Sequence, residues 1–360
     1  MASSAEIRAG PFNFETPRRR LRADATSNHA HFVRNHFDQP NLDLATYCLT
    51  IPGGRTVSVA ELRELPQQRV TCVLECAGNG RNRMVPRPEG IPWDDEAVGC
   101  ATWEGPAVRD VLRLAAPDGG AVDVVFRGAD SGPEGGAPRA FERSLPVGVA
   151  MCDGPILALR MNGRPIPRSH GAPVRLIVPG WYAVASVKWL REIRYINHPF
   201  RGYFQTERYV WDDGRPVREV RPRAILLRPP KGASVKPGVT RLEGRAWASA
   251  GVAGVDVQVD DGPWIPARLG NASKRWTWVR WSLDAVLDEG TRAIRVRARD
   301  ALGREQPLEP VVNRLGYGYN TADEIQIAVR RDRPRIAVVP ASWRRARALR
   351  NPLPSPESGP

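Results

Sequence analysis

Residues 73–84 read VLECAGNGRNRM, and they put one thiol where it can do chemistry. The apolar run before Cys76 has the composition of a strand, while Ala77, Gly78, Asn79 and Gly80 after it let the backbone turn tightly. Cys76 is therefore expected at a strand end. Arg81 and Arg83 follow within a few residues, and neighbouring positive charge lowers a thiol pKa, favouring the thiolate that acts as a nucleophile or a soft-metal ligand. Both roles are open on these residues alone. A lone cysteine near a strand is more often a small buried hydrophobe, the reading adopted for Cys72. Cys72 and Cys76 form C-x3-C, but no second Cys or His pair with finger-like spacing accompanies them, which argues against structural zinc.

The elements that must hold this thiol are legible in outline. Residues 44–51 and 69–75 are strand-like, and between them Ser58 and Glu61 form a capping box for a short helix over 58–65. Pro106 suits the first turn of a helix running to about Ala116, and 121–126 reads as a buried strand. Further strands are expected over 156–161, 174–178 and 186–195, with NGRPIP as the turn after the first. Pro222, Pro229, Pro230 and Pro237 then mark a change to strand and turn alone. There, 293–300 alternates apolar residues with arginine at period two, the pattern of a sheet with one wet face. About 100 residues of such strands suit a β-sandwich. The expected organisation is an N-terminal arm wrapping the surface over 1–30, a first domain over 31–221, a second over 222–349, and a proline-rich disordered tail over 350–360.

Composition narrows the classes. With 42% hydrophobic and 26% charged residues in 360, the chain can build two ordinary cores and is not disordered. No apolar run approaches the roughly 18 residues of a membrane span, so no membrane partner is expected. The net charge of +14 could point to nucleic acid, but of 53 basic residues only four are lysine and the arginines are spread through every segment. That is general arginine bias rather than a reading face, and no nucleic-acid partner is expected. Five cysteines form no disulfide framework and fit a reducing compartment. PRRRLR at 17–22 lacks a following apolar stretch, so no export signal is visible; the expected location is cytoplasmic, or periplasmic if a leader has been removed.

Other segments fall in a telling order: FVRNHF at 32–37, Trp93 in IPW, WEGPAVRDVL at 103–112, MNGRPIPRSHGAPVRLIVPGWYAVASVKWL at 161–190 and GYFQTERY at 202–209. Together with CAGNGR they resemble the sulfite oxidase family of molybdopterin-dependent oxidoreductases, most closely its haem-free bacterial members. The resemblance runs from about Phe32 to Val329. It implies an α+β chain: a mixed α/β molybdopterin-binding domain of the sulfite oxidase type followed by an immunoglobulin-like β-sandwich used for homodimerisation.

The same resemblance assigns residues. Cys76 is the protein ligand to a molybdenum otherwise held by two dithiolene sulfurs of a pyranopterin, the molybdopterin cofactor. Arg34 and Arg81 line an anion pocket with Trp93 as its aromatic wall, and the Tyr209 hydroxyl sits beside the reacting centre. Asn35, His36, Asp130, His170, Arg175, Ser186 and Lys188 hold the pterin and its phosphate. The expected reaction is oxidation of sulfite, a small anionic substrate, to sulfate. Two electrons would pass to an external acceptor such as a cytochrome, because no C-x-x-C-H haem attachment occurs. Sulfite-oxidising members usually carry one more arginine in the second domain, yet residues 244–260 offer only Arg245. Nitrate reduction or sulfane oxidation on the same cofactor is therefore the alternative, and a cofactor-free basic binding protein is the reading from another class.

Overall fold

The computed structural model describes residues 12–115, 118–270 and 275–331. The expected tail at 350–360 and the end of the second domain, 332–349, lie outside them, as does the start of the arm, 1–11. The architecture is α+β and dominated by sheet. Among the described residues the longest α-helix is Val59–Glu64, and its capping box between Ser58 and Glu61 forms as the sequence implies. No described helix is long and apolar enough to cross a membrane.

Two main sheets build the first part of the chain. One has five strands in the order Thr56–Ser58, Cys48–Thr50, Leu190–Ile196, Asp123–Glu134 and Ala137–Pro146, packed over Leu49, Phe126, Leu157, Leu176 and Ile193. The other pairs Gln67–Glu75 with Val98–Pro106 along their whole length and adds the short Asn162–Gly163 hairpin. Several strand expectations shift. Pro106 closes a strand opposite Gln67 instead of opening a helix, which runs only Val108–Leu112; a proline at a strand end forfeits no inner ladder bond. The expected 156–161 strand splits, Ile156–Ala158 pairing with Arg175–Ile177 while Arg160–Met161 pairs with Val98–Pro106. The expected 186–195 strand starts only at Leu190, because Trp189 has a φ of +48° and breaks the extended run.

From Arg223 onward two sheets face each other. Arg223–Arg228, Gly238–Trp247, Val279–Leu287 and Arg268–Leu269 form one; Ser234–Val235, Asp323–Val329, Gly290–Asp300, Val252–Val259 and Ile265–Pro266 form the other. Leu226, Leu242, Val257, Trp281, Val296 and Ile327 fill the space between them, as the period-two alternation requires.

The cysteine strand is where the two parts meet. Side chains alternate across a strand, so Cys72, Leu74 and Cys76 share one face, packed with Trp93, Trp103 and Ile177. Val73 and Glu75 share the other and meet the second part. Glu75 accepts hydrogen bonds from Arg223 Nη1 (3.0 Å), Trp247 Nε1 (2.9 Å) and Asn79 Nδ2 (2.9 Å), and Arg223 Nη2 reaches Asp95 at 2.6 Å. Burial disfavours the guanidinium charge, but Asp95 and Glu75 outweigh it and raise Arg223 above its ordinary pKa. Arg83 adds Asp95 (3.1 Å) and Asp323 (3.0 Å). The arm does not simply wrap the surface: Leu21 is fully buried, Arg18 donates to the Leu226 carbonyl (2.8 Å), and PRRRLR forms a 3-10 helix against this junction.

Arg223→Ala leaves the buried Glu75 without its cation and Asp95 with Arg83 alone, and breaking a buried pair costs about 3–5 kcal/mol. Urea unfolding should show a loss of that size, and a change below about 1 kcal/mol would contradict the role given to this junction.

Candidate active site

Cys76 sits just past the end of its strand, its N–H donating to the Ala97 carbonyl at 2.9 Å, and two hollows meet at it. The larger, about 700 Å³, is lined by Arg34, His36, Asp130, His170, Arg175, Ser186, Lys188 and Tyr209. The smaller, about 360 Å³, is lined by Arg34, Arg81, Trp93 and Tyr209. Arg34, Cys76 and Tyr209 border both. Asn35 alone among the expected residues lines neither. It is buried behind the large cavity, where its Oδ1 accepts from Lys188 Nζ and its Nδ2 donates to the Phe12 carbonyl at 2.8 Å.

Local backbone features aim these side chains. The ladder between Asp123–Glu134 and Ala137–Pro146 slips between Arg127 and Ser131, and that bulge turns Asp130 into the cavity. Lys188 precedes the left-handed Trp189, which is pinned by Nε1 donating to the Arg168 carbonyl (2.8 Å). Lys188 also donates to the Ser169 carbonyl at 3.1 Å, and Arg175 donates to the His170 (2.8 Å) and Ser186 (3.0 Å) carbonyls. Arg81 lies folded against Gly78, where an added Cβ would stand 2.5 Å from its guanidinium; the glycine in CAGNGR is a space for that group. The guanidinium donates to the Ile91 (2.9 Å) and Leu315 (3.3 Å) carbonyls.

The electrostatics of the large cavity are unbalanced. Arg34, Arg175 and Lys188 face a single lining carboxylate, Asp130. Burial pushes Arg175 down to about 9, lowers Lys188 well below its ordinary value with Arg175 adding to the effect, and lifts Asp130 to about 6. Arg175 Nε and Asp130 Oδ1 are buried without a hydrogen-bond partner among the described residues. Excess buried cations and orphaned polar atoms are costly unless a polar, anionic guest occupies the space. The residues present therefore fit a phosphorylated pterin.

The thiol corrects one expectation. Burial raises Cys76, and although Arg34 and Arg81 pull it down, burial wins. Arg83 does not take part, being committed to Asp95 and Asp323. A thiolate here needs a further cation, which a soft metal ion would supply.

Sequence reading missed His31, Arg208 and Tyr317. His31 directly precedes FVRNHF and packs edge-on to His170, with ring centroids 5.4 Å apart. Tyr317, between the positive-φ Gly316 and Gly318, stacks on Tyr209 at 4.9 Å. Only its flanking glycines hinted at a placed side chain. His36 Nδ1 faces Arg34 Nη2 (3.1 Å), which can only donate, so the ring proton is on Nε2 and is donated to Glu134 (2.8 Å). Burial, with Arg34 next, pushes His36 down to about 4, so this contact is a hydrogen bond from a neutral ring rather than an ion pair at neutral pH.

Residues 36–204 match the oxidoreductase molybdopterin binding domain. Sulfite oxidase of Gallus gallus is 36% identical over 341 residues, covering 85% of this chain and 74% of that protein. The chain belongs to the sulfite oxidase family. It is thus an oxidoreductase whose cofactor is molybdenum held by molybdopterin. The mitochondrial sulfite oxidase of Macaca fascicularis is 33% identical over 354 residues, which span 89% of this chain and 64% of that longer protein. The sulfane dehydrogenase SoxCD from Paracoccus pantotrophus shares the fold, with a TM-score of 0.77 at 24% identity over 90% of this chain and 86% of that one.

Three histidines lining the large cavity carry depressed pKa values. Burial holds His31 and His36 at about 4 and His170 well below its ordinary 6.5. The unfolded chain takes up these protons below about 6.5 while the folded chain refuses them until about 4, so stability is lost as pH falls through that window. Each such histidine adds about 1.4 kcal/mol per pH unit to the slope. His31→Gln should flatten the urea-unfolding free energy between pH 6.5 and 4.5 by about that amount, and an unchanged slope would refute the assignment.

Proposed function

We propose that the protein oxidises sulfite to sulfate and passes two electrons to an external acceptor. The observation that carries this reading is the meeting of a cation-rich cavity and an arginine-lined cleft at Cys76, bordered on both sides by Arg34 and Tyr209. Sulfite gains one oxygen from water, releasing two protons and two electrons. When bound, the molybdenum cofactor supplies the oxygen-transfer and electron-accepting chemistry.

The chain's own residues do the rest. His36, His170, Arg175, Ser186 and Lys188 would hold the pterin and its phosphate, with Asp130 as the acceptor among them and Asn35 steadying Lys188 from behind. Cys76 would provide the thiolate ligand. Arg34 and Arg81 hold the dianion, since guanidinium stays charged at every working pH and presents a planar set of donors. Trp93 walls the cleft, and its buried Nε1–H, without a partner among the described residues, is a further donor for an oxyanion. Tyr209, fixed by its stack on Tyr317, offers a hydroxyl at the border between cofactor and substrate. The positive surface raises the arrival rate of a small dianion.

Cys76→Ser replaces a soft donor by a hard one and should abolish sulfite turnover while the fold is kept. Sulfite oxidation with artificial and haem acceptors, alongside nitrate reduction on the same preparation, decides between the readings. Sulfite turnover in the wild type that survives Cys76→Ser would remove the central assignment, and nitrate turnover without sulfite turnover would replace the substrate.

The reading extends to a homodimer formed through the second domain. Val239 and Val286 lie directly opposite each other on its outer sheet and are 75% and 72% exposed, an apolar pair on a surface otherwise rich in charge. Val239→Glu with Val286→Glu should convert a sedimenting dimer into a monomer of undiminished stability. A dimer unaffected by both charges would move the contact elsewhere.

A further inference from the structure

Arg208 is a cation at the small cleft that the reading above leaves without a task. It follows the helix Tyr203–Thr206, directly precedes Tyr209, and lines the cleft with Arg34 and Arg81. The one carboxylate among the lining residues is Glu89, which is exposed. The three guanidinium groups differ in what each has left to bind with. Arg34 gives one terminal nitrogen to the Asn35 carbonyl and the other to His36. Arg81 gives both of its terminal nitrogens to the carbonyls of Ile91 and Leu315. Arg208 is held by Nε alone, 3.4 Å from Glu134 Oε1, and its two terminal nitrogens form no hydrogen bond among the described residues. Those two nitrogens are the fork that matches a pair of oxygens on a pyramidal or tetrahedral oxyanion.

The anchor of this fork is well fixed. Glu134 ends its strand at a two-residue Gly135–Gly136 turn, accepts from His36 Nε2 at 2.8 Å and accepts from the Tyr203 hydroxyl at 3.2 Å. One histidine therefore orients Arg34 directly and Arg208 through Glu134. Among the described residues the second domain contributes Leu315 and Tyr317 to the lining and no cation, since Arg245 donates to the Leu21 carbonyl (3.1 Å) and pairs with Asp24 (3.1 Å), away from the cleft.

We propose that Arg208 completes a three-arginine clamp for the substrate oxyanion and so sets specificity from the loop before Tyr209, taking the place of an arginine from the second domain. The inference rests on the sulfite reading only for the identity of the anion. The probes are sulfate binding by titration calorimetry and sulfite steady-state kinetics on the cofactor-loaded protein, for the wild type, Arg208→Gln and Arg208→Lys. Loss of a charge-assisted contact predicts that Arg208→Gln weakens sulfate binding and raises the sulfite KM by about ten- to a hundredfold. Its kcat should stay within about threefold, since uniform binding is what is removed, and Arg208→Lys should recover part of the loss. Sulfate binding unchanged within about twofold in Arg208→Gln, or no sulfate binding by the wild type, overturns the clamp. A wild type that binds sulfate, loses it in Arg208→Gln, yet does not oxidise sulfite would keep the clamp and discard the sulfite reading. A variant that lost kcat and binding together, with Arg208→Lys equally impaired, would mark Arg208 as structural and also overturn it.

Discussion

The buried contact between Glu75 and Arg223 is the constraint on which the site depends. Glu75 immediately precedes Cys76, and strand alternation forces the two side chains to opposite faces, one toward the second domain and one toward the cavity. Arg223 and Trp247 hold the carboxylate from beyond the first domain, and Asn79 holds it from within the turn that follows the cysteine. The thiol is thus fixed by a residue that faces away from the cavity and by partners from beyond the first sheet region. Deep burial makes this contact costly to break, because Glu75 would be left without a counter-charge in a low-dielectric setting.

The same low dielectric sets the logic of the large cavity. Arg175 and Lys188 are displaced toward their neutral forms by burial, while Asp130 is displaced toward its acid. None of these groups satisfies another well enough to restore its ordinary behaviour, so the folded chain carries an electrostatic cost that an anionic guest offsets. Binding of such a guest to the native state alone is a stabilising linkage as well as a catalytic requirement. Cys76 follows the same rule in the opposite sense: two arginines are insufficient to ionise a buried thiol, and a metal cation would supply the missing positive charge.

Much of this was legible in the sequence, and what was not has physical reasons. Local rules worked where one interaction decides the outcome: the Ser58 capping box, the Asn162–Gly163 turn, and the strand that ends in a cysteine before small residues. They failed where partners are distant. The paired strands Asp123–Glu134 and Ala137–Pro146 were hidden because their outer halves are exposed and rich in glycine, proline and charge, so the apolar signal stops at Phe126. Pro106 looked like a helix opener because its pairing with Gln67 cannot be seen from spacing. PRRRLR looked like surface because only Leu21 among its residues is apolar, and the backbone carbonyls that bind Arg18 and Arg245 carry no sequence mark.

Arginine bias is the deepest source of that blindness, and it also explains how the site achieves selectivity. In a chain where arginine is everywhere, residue type says little, and function is assigned by what each guanidinium has already bonded. Arg83 and Arg223 are fully committed to carboxylates at the domain junction, and Arg245 to carbonyls and Asp24. Arg34 and Arg81 are fixed by protein acceptors that carry no full charge, so their positive charge remains for a ligand while their geometry is settled beforehand. Carboxylates that take the terminal nitrogens, as at Arg223, use up the fork, whereas carbonyl and neutral imidazole partners merely orient, and Arg208, held by a carboxylate through Nε alone, keeps its fork for a ligand. That difference, invisible in composition, separates the arginines that hold the protein together from those that can hold a substrate.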